Sequence, residues 1–449
     1  MEFANGLAIS PPLEESSGRL NQKWINSLTR LRLTCPERYS GGVSESMTSS
    51  QKDLQTPAKN AKPSTVDVAI VGAGLAGTTL ALVLNSAGRK VALIDPHRVH
   101  HDEFRAEKTR SEQMRLFEKL GLGPVIRPLV TPSPETHVYR FGQLFQRKQG
   151  SEFAFSYGPL VNGLRQAMPP ELPLTVGKVA EVLTGPDRQR LVLADGSVVD
   201  ARLLVVATGY SEAVRRAVGV ERVEHSKAHS LSIGFDLAIP PQEFGSRSLT
   251  FYPRRLGHRI PFLTIFRISD RMRANMFVYR TVADPWTQAF RADPQRMLLQ
   301  LMPEISAQCG NFAVASPVEV RQVSLTTTTG HRRDGVVFIG DAFSTTCPAQ
   351  GDGIHRVITD VDRLCSIHIP AWLEMPGMGV DKISAFYDDP IKVAADVHAM
   401  RSSVYARSIT TETGLQWRFR RLRNNTARQL MIAYRKLRQF GQRRSADSA

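Results

Sequence analysis

Cysteine is scarce in this chain of 449 residues, with four in all: Cys35, Cys309, Cys347 and Cys365. Thiols so far apart, with no Cys-x-x-Cys pair, exclude a disulfide scaffold and a cysteine-rich zinc module. No uninterrupted apolar run reaches the roughly 18 residues of a membrane-spanning helix. The N-terminus lacks the charged-then-apolar pattern of a secretory signal. Gly-x-Ser-x-Gly, a P-loop and internal repeats are also missing, which removes α/β-hydrolase and P-loop chemistry and solenoid architecture. These absences describe a soluble, cytoplasmic protein kept in a reducing compartment.

What is present is ordinary for a globular chain, 42% hydrophobic and 22% charged residues, but the net charge is +16. Ten basic residues against a single acid, Asp447, lie between Gly414 and Ala449. The excess is thus mainly a property of the tail and says little about a ligand of the main body. Within it, Leu430, Ala433, Tyr434, Leu437 and Phe440 recur at helical spacing, with arginines on the other face. A basic amphipathic helix of this kind suits a peripheral contact with a membrane surface or an acidic partner, or packing on the body with a frayed end. Both readings stay open. No RNA- or DNA-binding motif accompanies the charge, so nucleic acid is not an expected partner. Residues 1–65 are rich in Ser, Pro, Gln and Lys and are expected to form a disordered leader.

Order begins abruptly at Val66. The β-rich run Val66–Val71 leads into Gly72-Ala73-Gly74-Leu75-Ala76-Gly77, then a helical pattern from Thr78 to Ala87, then a strand, Lys90–Ile94, ending at Asp95. That is a complete βαβ unit and implies a parallel sheet. Three glycines alone would be weak evidence; a strand before, a helix after and an acid eighteen residues beyond Gly77 make them specific. Gly72 permits the tight turn, Gly74 lets the backbone approach a pyrophosphate, and Gly77 lets the helix lie close to the sheet. The helix N-terminus suits the phosphates, and Asp95 can accept hydrogen bonds from ribose hydroxyls. A ligand with an ADP moiety is expected.

Further strand signals lie at Leu203–Ala207 and Gly335–Gly340, with β-leaning runs at 231–237, 262–268 and 275–280 between them. The run Val336–Ile339 ends in Gly340-Asp341-Ala342, followed by Pro348, Gly351, Gly353 and a helical stretch, Ile354–Leu364. A strand stopping at an acid beside a glycine-bearing helix start is a second anion-ready corner. With Asp360 and Leu364 in the helix, this segment resembles the second FAD motif of the flavoprotein aromatic monooxygenases, the p-hydroxybenzoate hydroxylase family. Both motifs stand in the family's order, and the resemblance covers about residues 66–400.

The resemblance implies an α/β fold: a parallel-sheet, Rossmann-like FAD-binding domain (66–224 and 331–400), an inserted mixed or antiparallel substrate sheet (225–330) and a basic helical C-terminus (401–449). It implies that Asp341 bonds the ribityl chain of FAD and that Gly351, Gly353 and Ile354 present amides to the flavin's N1–C2=O edge. Arg105 would lie against the pyrophosphate and ribityl chain, and the backbone near Val179 would receive the adenine. The implied activity is insertion of one oxygen atom from O2 into an aromatic or conjugated organic substrate through a flavin C4a-hydroperoxide. A flavin-dependent reductase or dehydrogenase of a hydrophobic substrate, or a non-catalytic FAD-binding protein, are the alternatives. The flavin carries the hard chemistry, so no catalytic side chain need be visible in the sequence.

Two departures stand out. The family's Ala-Asp-Gly-x-x-Ser segment, linked to FAD and NADPH, is here Ala207-Thr208-Gly209-Tyr210-Ser211-Glu212. Without its acid, the electron donor is left as NAD(P)H or a partner reductase. Asp352 between the two glycines could sit near the flavin ring or cap the following helix, and the cap is the expected reading because acids are preferred at helix starts. None of the four tryptophans forms the Trp-x-Trp-x-Ile-Pro segment of the flavin halogenases. His97, His100, His101, Asp102 and Glu103 suit a polar loop rather than a metal site. Tyr252, Phe262, Phe266, Phe277 and Tyr279 could line a planar pocket or fill a core, and Arg254 or Arg273 could hold an acidic substrate group.

Overall fold

Two sheets organise the chain, one of continuous apolar runs and one of alternating residues. The computed structural model describes residues 64–245, 247–253 and 256–446. Residues 1–63 of the expected leader lie outside them, as does Arg254. In chain order the first strands are β1 (Ser64–Val71), β2 (Val91–Asp95), β3 (Ala106–Arg110), β4 (Thr131–Arg140) and β5 (Gln143–Ser156). Next come β6 (Leu174–Val176), β7 (Val179–Leu183), β8 (Gln189–Leu193), β9 (Val198–Val206) and β10 (Glu221–Leu237). The rest are β11 (Arg247–Phe251), β12 (Phe262–Ile268), β13 (Arg271–Val278), β14 (Glu319–Thr329), β15 (Val336–Phe338) and β16 (Ser344–Thr345). Four helices bear on the site: α1 (Leu75–Ser86), α2 (Asp352–Arg363), α3 (Pro390–Thr411) and α4 (Leu415–Ala446).

The first sheet runs β6-β2-β1-β9 in parallel, β15 joins β9 in parallel, and the antiparallel β7–β8 hairpin extends the far side. Val68 and Ile70 of β1 pack into one core while Ala69 and Val71 pack into another. Burial on both faces is why these strands read as unbroken apolar runs. The backbone around Val179 belongs to a stretch divided between β6 and β7. The Gly177 N–H donates to the Asp95 carbonyl at 3.0 Å, and the Lys178 carbonyl accepts from Ala194 at 2.8 Å. The chain passes from the parallel sheet into the hairpin at that dipeptide.

The second sheet has nine strands in the order β16-β14-β10-β13-β12-β11-β4-β5-β3 and is mixed, since β11 pairs with β4 in parallel. The segment 225–330 supplies β11 to β14 and most of β10, but β3, β4 and β5 come from residues 106–156. Those three strands were not read from the sequence. Their one local signal is the turn at Phe141-Gly142, where both residues have positive φ (54° and 74°) and Arg140 pairs with Gln143. Such a two-residue turn closes a hairpin.

Alternation decides which side of this sheet meets the site. Leu231, Ile233, Phe235, Met272, Ala274, Met276 and Val278 form one buried apolar face. The opposite face carries Ser230, Ser232, Asn275, Phe277 and Phe262 in register. Phe262 and Phe277 pack there against Tyr279, Cys347 and Ala349, together with Met400 and Ala406 of α3.

A buried charge network ties α2 to α3. Lys392, 1% exposed, donates to Asp360 Oδ1 at 2.8 Å and to Asp396 Oδ2 at 3.0 Å. Arg356 donates to Asp396 Oδ1 at 2.7 Å and to the Ser344 carbonyl at 2.9 Å. Burial opposes the charge on Asp396, yet Arg356 and Lys392 outweigh it and hold this carboxyl below its usual range. Removing one partner of such a set leaves uncompensated buried charge. Lys392→Met is therefore expected to cost about 3–5 kcal/mol of stability, measured as a lowered urea midpoint.

Candidate active site

The first corner is built from the end of β1 and the start of α1. Gly72 has φ +101°, and a Cβ there would stand 2.6 Å from the Ala207 carbonyl oxygen. A Cβ on Gly77 would stand 1.9 Å from the Gly72 oxygen, so the helix can rest on the turn only without one. The Ala73 N–H donates to Asp95 Oδ2 at 2.8 Å, and the Leu75 N–H donates to the Tyr157 hydroxyl at 3.2 Å. The N–H groups of Gly74 and Ala76 donate to nothing among the described residues. Arg165, 8% exposed, clamps the loop from behind. It donates to the Ala73 carbonyl at 2.8 and 2.6 Å and to the His97 carbonyl at 2.7 Å, with Asp95 3.5 Å away. Nothing local in the sequence marked Arg165, because its partners lie some seventy to ninety residues away.

The second corner follows β15. Gly340 turns at φ +56°, its N–H donates to Asp360 Oδ2 at 3.0 Å, and the Ala342 carbonyl accepts from Arg215 at 3.0 Å. The Asp341 carboxylate between them accepts no hydrogen bond from the described residues. Gly351, at φ +69°, caps α2, and a Cβ on Gly351 or Gly353 would meet nothing within 4 Å. Gln113 holds the Gly351 carbonyl at 3.1 Å, and Ile354, 3% exposed, anchors the first turn in the core. Asp352 is not the cap that the sequence suggested: it makes no capping bond. Its carboxylate is buried, one oxygen 3.6 Å from Arg110 and the other unpartnered among the described residues.

Arg105 belongs to both corners. Its guanidinium lies over the Tyr157 ring at 4.2 Å and pairs with Glu107. Burial disfavours its charge, but Glu107, Tyr157 and Asp341 raise its pKa above the ordinary arginine value. Val179 opens the hairpin just after the Val176–Asp95 pairing, on the Asp95 side of the first corner. The glycine-lined openings, the spare amides and the uncommitted Asp341 carboxylate fit an extended dinucleotide. Its phosphates would be held at Gly72–Gly77 and Arg105, its ribose at Asp95, and its ring system at Gly351–Ile354.

A family model described as an FAD binding domain matches residues 65–166 and 176–369. The chain belongs to this FAD-binding family. It is 25% identical to squalene monooxygenase of Mus musculus over 369 residues, 77% of this chain but 59% of the relative. It is 22% identical to squalene epoxidase erg1 of Aspergillus fumigatus over 384 residues, covering 78% of this chain and 76% of the relative. Among solved structures, p-nitrophenol 4-monooxygenase PnpA from Pseudomonas putida superposes with a TM-score of 0.62 at 16% identity, covering 83% of this chain and 98% of that one. Klebsiella pneumoniae HpxO, complexed with FAD and uric acid, gives 0.62 at 15% identity, covering 81% and 92%. The resemblance to the flavoprotein aromatic monooxygenases thus extends from the two motifs to the whole fold, and FAD is the cofactor of the family.

Other residues singled out in the sequence resolve differently. Arg273 is committed, to Asp236 at 3.2 Å, Asn275 at 3.1 Å and the Phe104 carbonyl, so it is not free for substrate. Arg215, three residues beyond the altered segment, is buried and holds Thr328 and Ala342, while the Thr208 hydroxyl within that segment is buried without a partner among the described residues. His100 and His101 stack at 4.7 Å. Among the described residues no three His, Cys, Asp or Glu side chains converge on a metal site. Phe266 is core, 1% exposed. Cys347 bonds Ser230 at 3.3 Å, and burial pushes its thiol pKa up. His229, buried beside Tyr279 and Arg407, has its pKa lowered to about 4 by burial and then by Arg407, so it stays neutral.

Asp341→Ala removes a charged acceptor whose bond is typically worth about 1.5–3 kcal/mol. FAD affinity is expected to fall by about ten- to a hundredfold, measured as flavin absorbance retained after gel filtration, with an unchanged melting temperature.

Proposed function

We propose that the protein is an FAD-dependent monooxygenase that inserts one oxygen atom from O2 into an aromatic or conjugated organic substrate. The observation that carries this reading is the aromatic face of the second sheet. Phe262 and Phe277, 5.5 Å apart, pack against the Cys347–Ala349 loop that leads directly into the open start of α2. A planar substrate held on that face would lie beside the ring end of the dinucleotide site.

Bound FAD, once reduced, supplies the two electrons that activate O2, one atom passing to substrate and the other to water. The chain provides the setting. The amide end of α2 carries partial positive charge, which stabilises negative charge developing at the pyrimidine edge of the ring. Arg105 and the first turn of α1 would hold the pyrophosphate of bound FAD, and Asp341 would hold its ribityl chain. The apolar cluster of Tyr279, Leu325, Cys347 and Ala349 excludes water from this side. NAD(P)H or a partner reductase supplies the electrons.

A peripheral membrane contact belongs to the same reading. Among the described residues no helix is long and apolar enough to cross a membrane. One side of α4 turns inward: Arg421 bonds the Glu412 carbonyl at 2.6 Å, and Ile432 is only 8% exposed. Leu415, Phe419, Leu422, Leu430 and Tyr434, by contrast, are 64–80% exposed and fall on one helical stripe at 3.6 residues per turn. Leu437 and Phe440 belong to the same pattern, but their side chains lie outside the description. An outward apolar stripe flanked by arginines fits an anionic lipid surface.

Purified protein loaded with FAD and reduced by each nicotinamide, or by a reductase, is expected to transfer label from 18O2 into product. Label arriving from water, or turnover that continues under argon, would instead establish the reductase or dehydrogenase. Cosedimentation with anionic vesicles is expected for the full chain and is expected to be lost in Leu422→Glu/Leu430→Glu, without change in FAD content.

A further inference from the structure

The start of α2 holds a negative charge that its own helix does not use. The N–H groups of Asp352, Gly353, Ile354 and His355 find no acceptor among the described residues, as the first four of a helix do unless a side chain caps them. The Asp352 side chain, in that same turn, bonds none of them. It is only 5% exposed. One carboxylate oxygen lies 3.6 Å from Arg110 Nη2, an ion-pair contact too long for a hydrogen bond. The other is buried without a partner among the described residues. The backbone on either side of this contact is fixed. The Gln113 amide oxygen accepts the Arg110 N–H at 2.6 Å and the Thr109 hydroxyl at 2.7 Å, while its amide nitrogen donates to the Gly351 carbonyl at 3.1 Å. One side chain thus ties the end of β3 to the turn before Asp352, with the Arg110 side chain half exposed. A buried carboxylate so poorly bonded is costly, and its position gives the cost a use.

Two-electron reduction of a flavin takes up two electrons and one proton and leaves one negative charge on the ring, at its N1–C2=O edge. The free amides of a helix start stabilise that charge. A carboxylate in the same turn opposes it, and an arginine beside the carboxylate restores part of the stabilisation. We propose that Asp352 and Arg110 form an opposed charge pair that sets the reduction potential of bound FAD, Asp352 lowering it by offsetting the positive end of α2 and Arg110 limiting the fall. Both act through the field at the helix start and are positioning residues rather than catalytic ones. The inference rests on the seating of FAD at Gly351–Ile354 and not on the choice of substrate. To the oxygenase reading it adds a group that makes the reduced cofactor a stronger electron donor to O2.

The test is the midpoint potential of the FAD-loaded full chain, read by anaerobic titration with dithionite against a reference dye and needing no turnover. Asp352→Asn keeps the shape and removes the charge. It is expected to raise the potential by at least about 30 mV, a tenfold change in the two-electron equilibrium. Arg110→Gln is expected to lower it, by less, because water and salt screen a half-exposed guanidinium. Shifts of opposite sign are what a charge pair produces and a loosened fold does not. Arg110 is half exposed, so its variant reports even where Asp352→Asn fails to hold FAD. An unchanged or lowered potential in Asp352→Asn, or a raised one in Arg110→Gln, would each overturn the pair. The expected potentials in a protein that never incorporates 18O2 refute the oxygenase reading alone, whereas a full chain that takes up no FAD refutes the seat and the pair together.

Discussion

Asp360 holds together the two parts of the molecule on which the cofactor site depends. One carboxylate oxygen accepts the Gly340 N–H at 3.0 Å and fixes the turn that presents Asp341; the other accepts Lys392 at 2.8 Å and pins α2 to α3. The distance from the strand-end acid to the glycine-bearing helix start is thereby set by a buried charge rather than by loop stiffness. Arg165 does the equivalent work at the other corner, locking the Ala73 carbonyl to the loop after β2. Buried Arg165 is tolerated because its donors are nearly all filled, and buried Asp360 because the Lys392 ammonium faces it.

Given those fixed corners, the division of labour between the sheets follows. The parallel sheet is covered on both faces and offers only its strand ends, where the glycines and Asp95 lie. The mixed sheet has one face in its own core and one left for other uses. That second face meets the Cys347–Ala349 loop, so the proposed wall for a substrate and the proposed seat for a flavin ring are made by neighbouring backbone. Arg105 stacks on Tyr157, whose hydroxyl accepts the Leu75 N–H of the first corner, and the charge of Asp341 in the second corner helps raise the pKa of the guanidinium.

The C-terminal helix is unusual in its orientation. Amphipathic helices normally turn apolar residues inward, whereas this one buries Ile432, bonds Arg421 to the Ile409 and Glu412 carbonyls, and leaves Leu415, Phe419, Leu422, Leu430 and Tyr434 outside. The same rotation leaves exposed the apolar stripe of the proposed lipid contact.

Much of this was legible without coordinates. The Gly72–Gly77 turn, Asp95, and the Gly340-Asp341 and Gly351–Ile354 segments are local patterns, and strands buried on both faces announce themselves as apolar runs. Beyond reach of the sequence were β3 to β5, whose mostly alternating, polar residues blur into loops. So were Arg165, Lys392 and Asp396, which have partners far along the chain in Ala73, Asp360 and Arg356. Local backbone chemistry is written in neighbouring residues and can be read there. The pairing of a buried charge, or the face a strand turns toward a cavity, is decided only when distant segments compete for the same low-dielectric space.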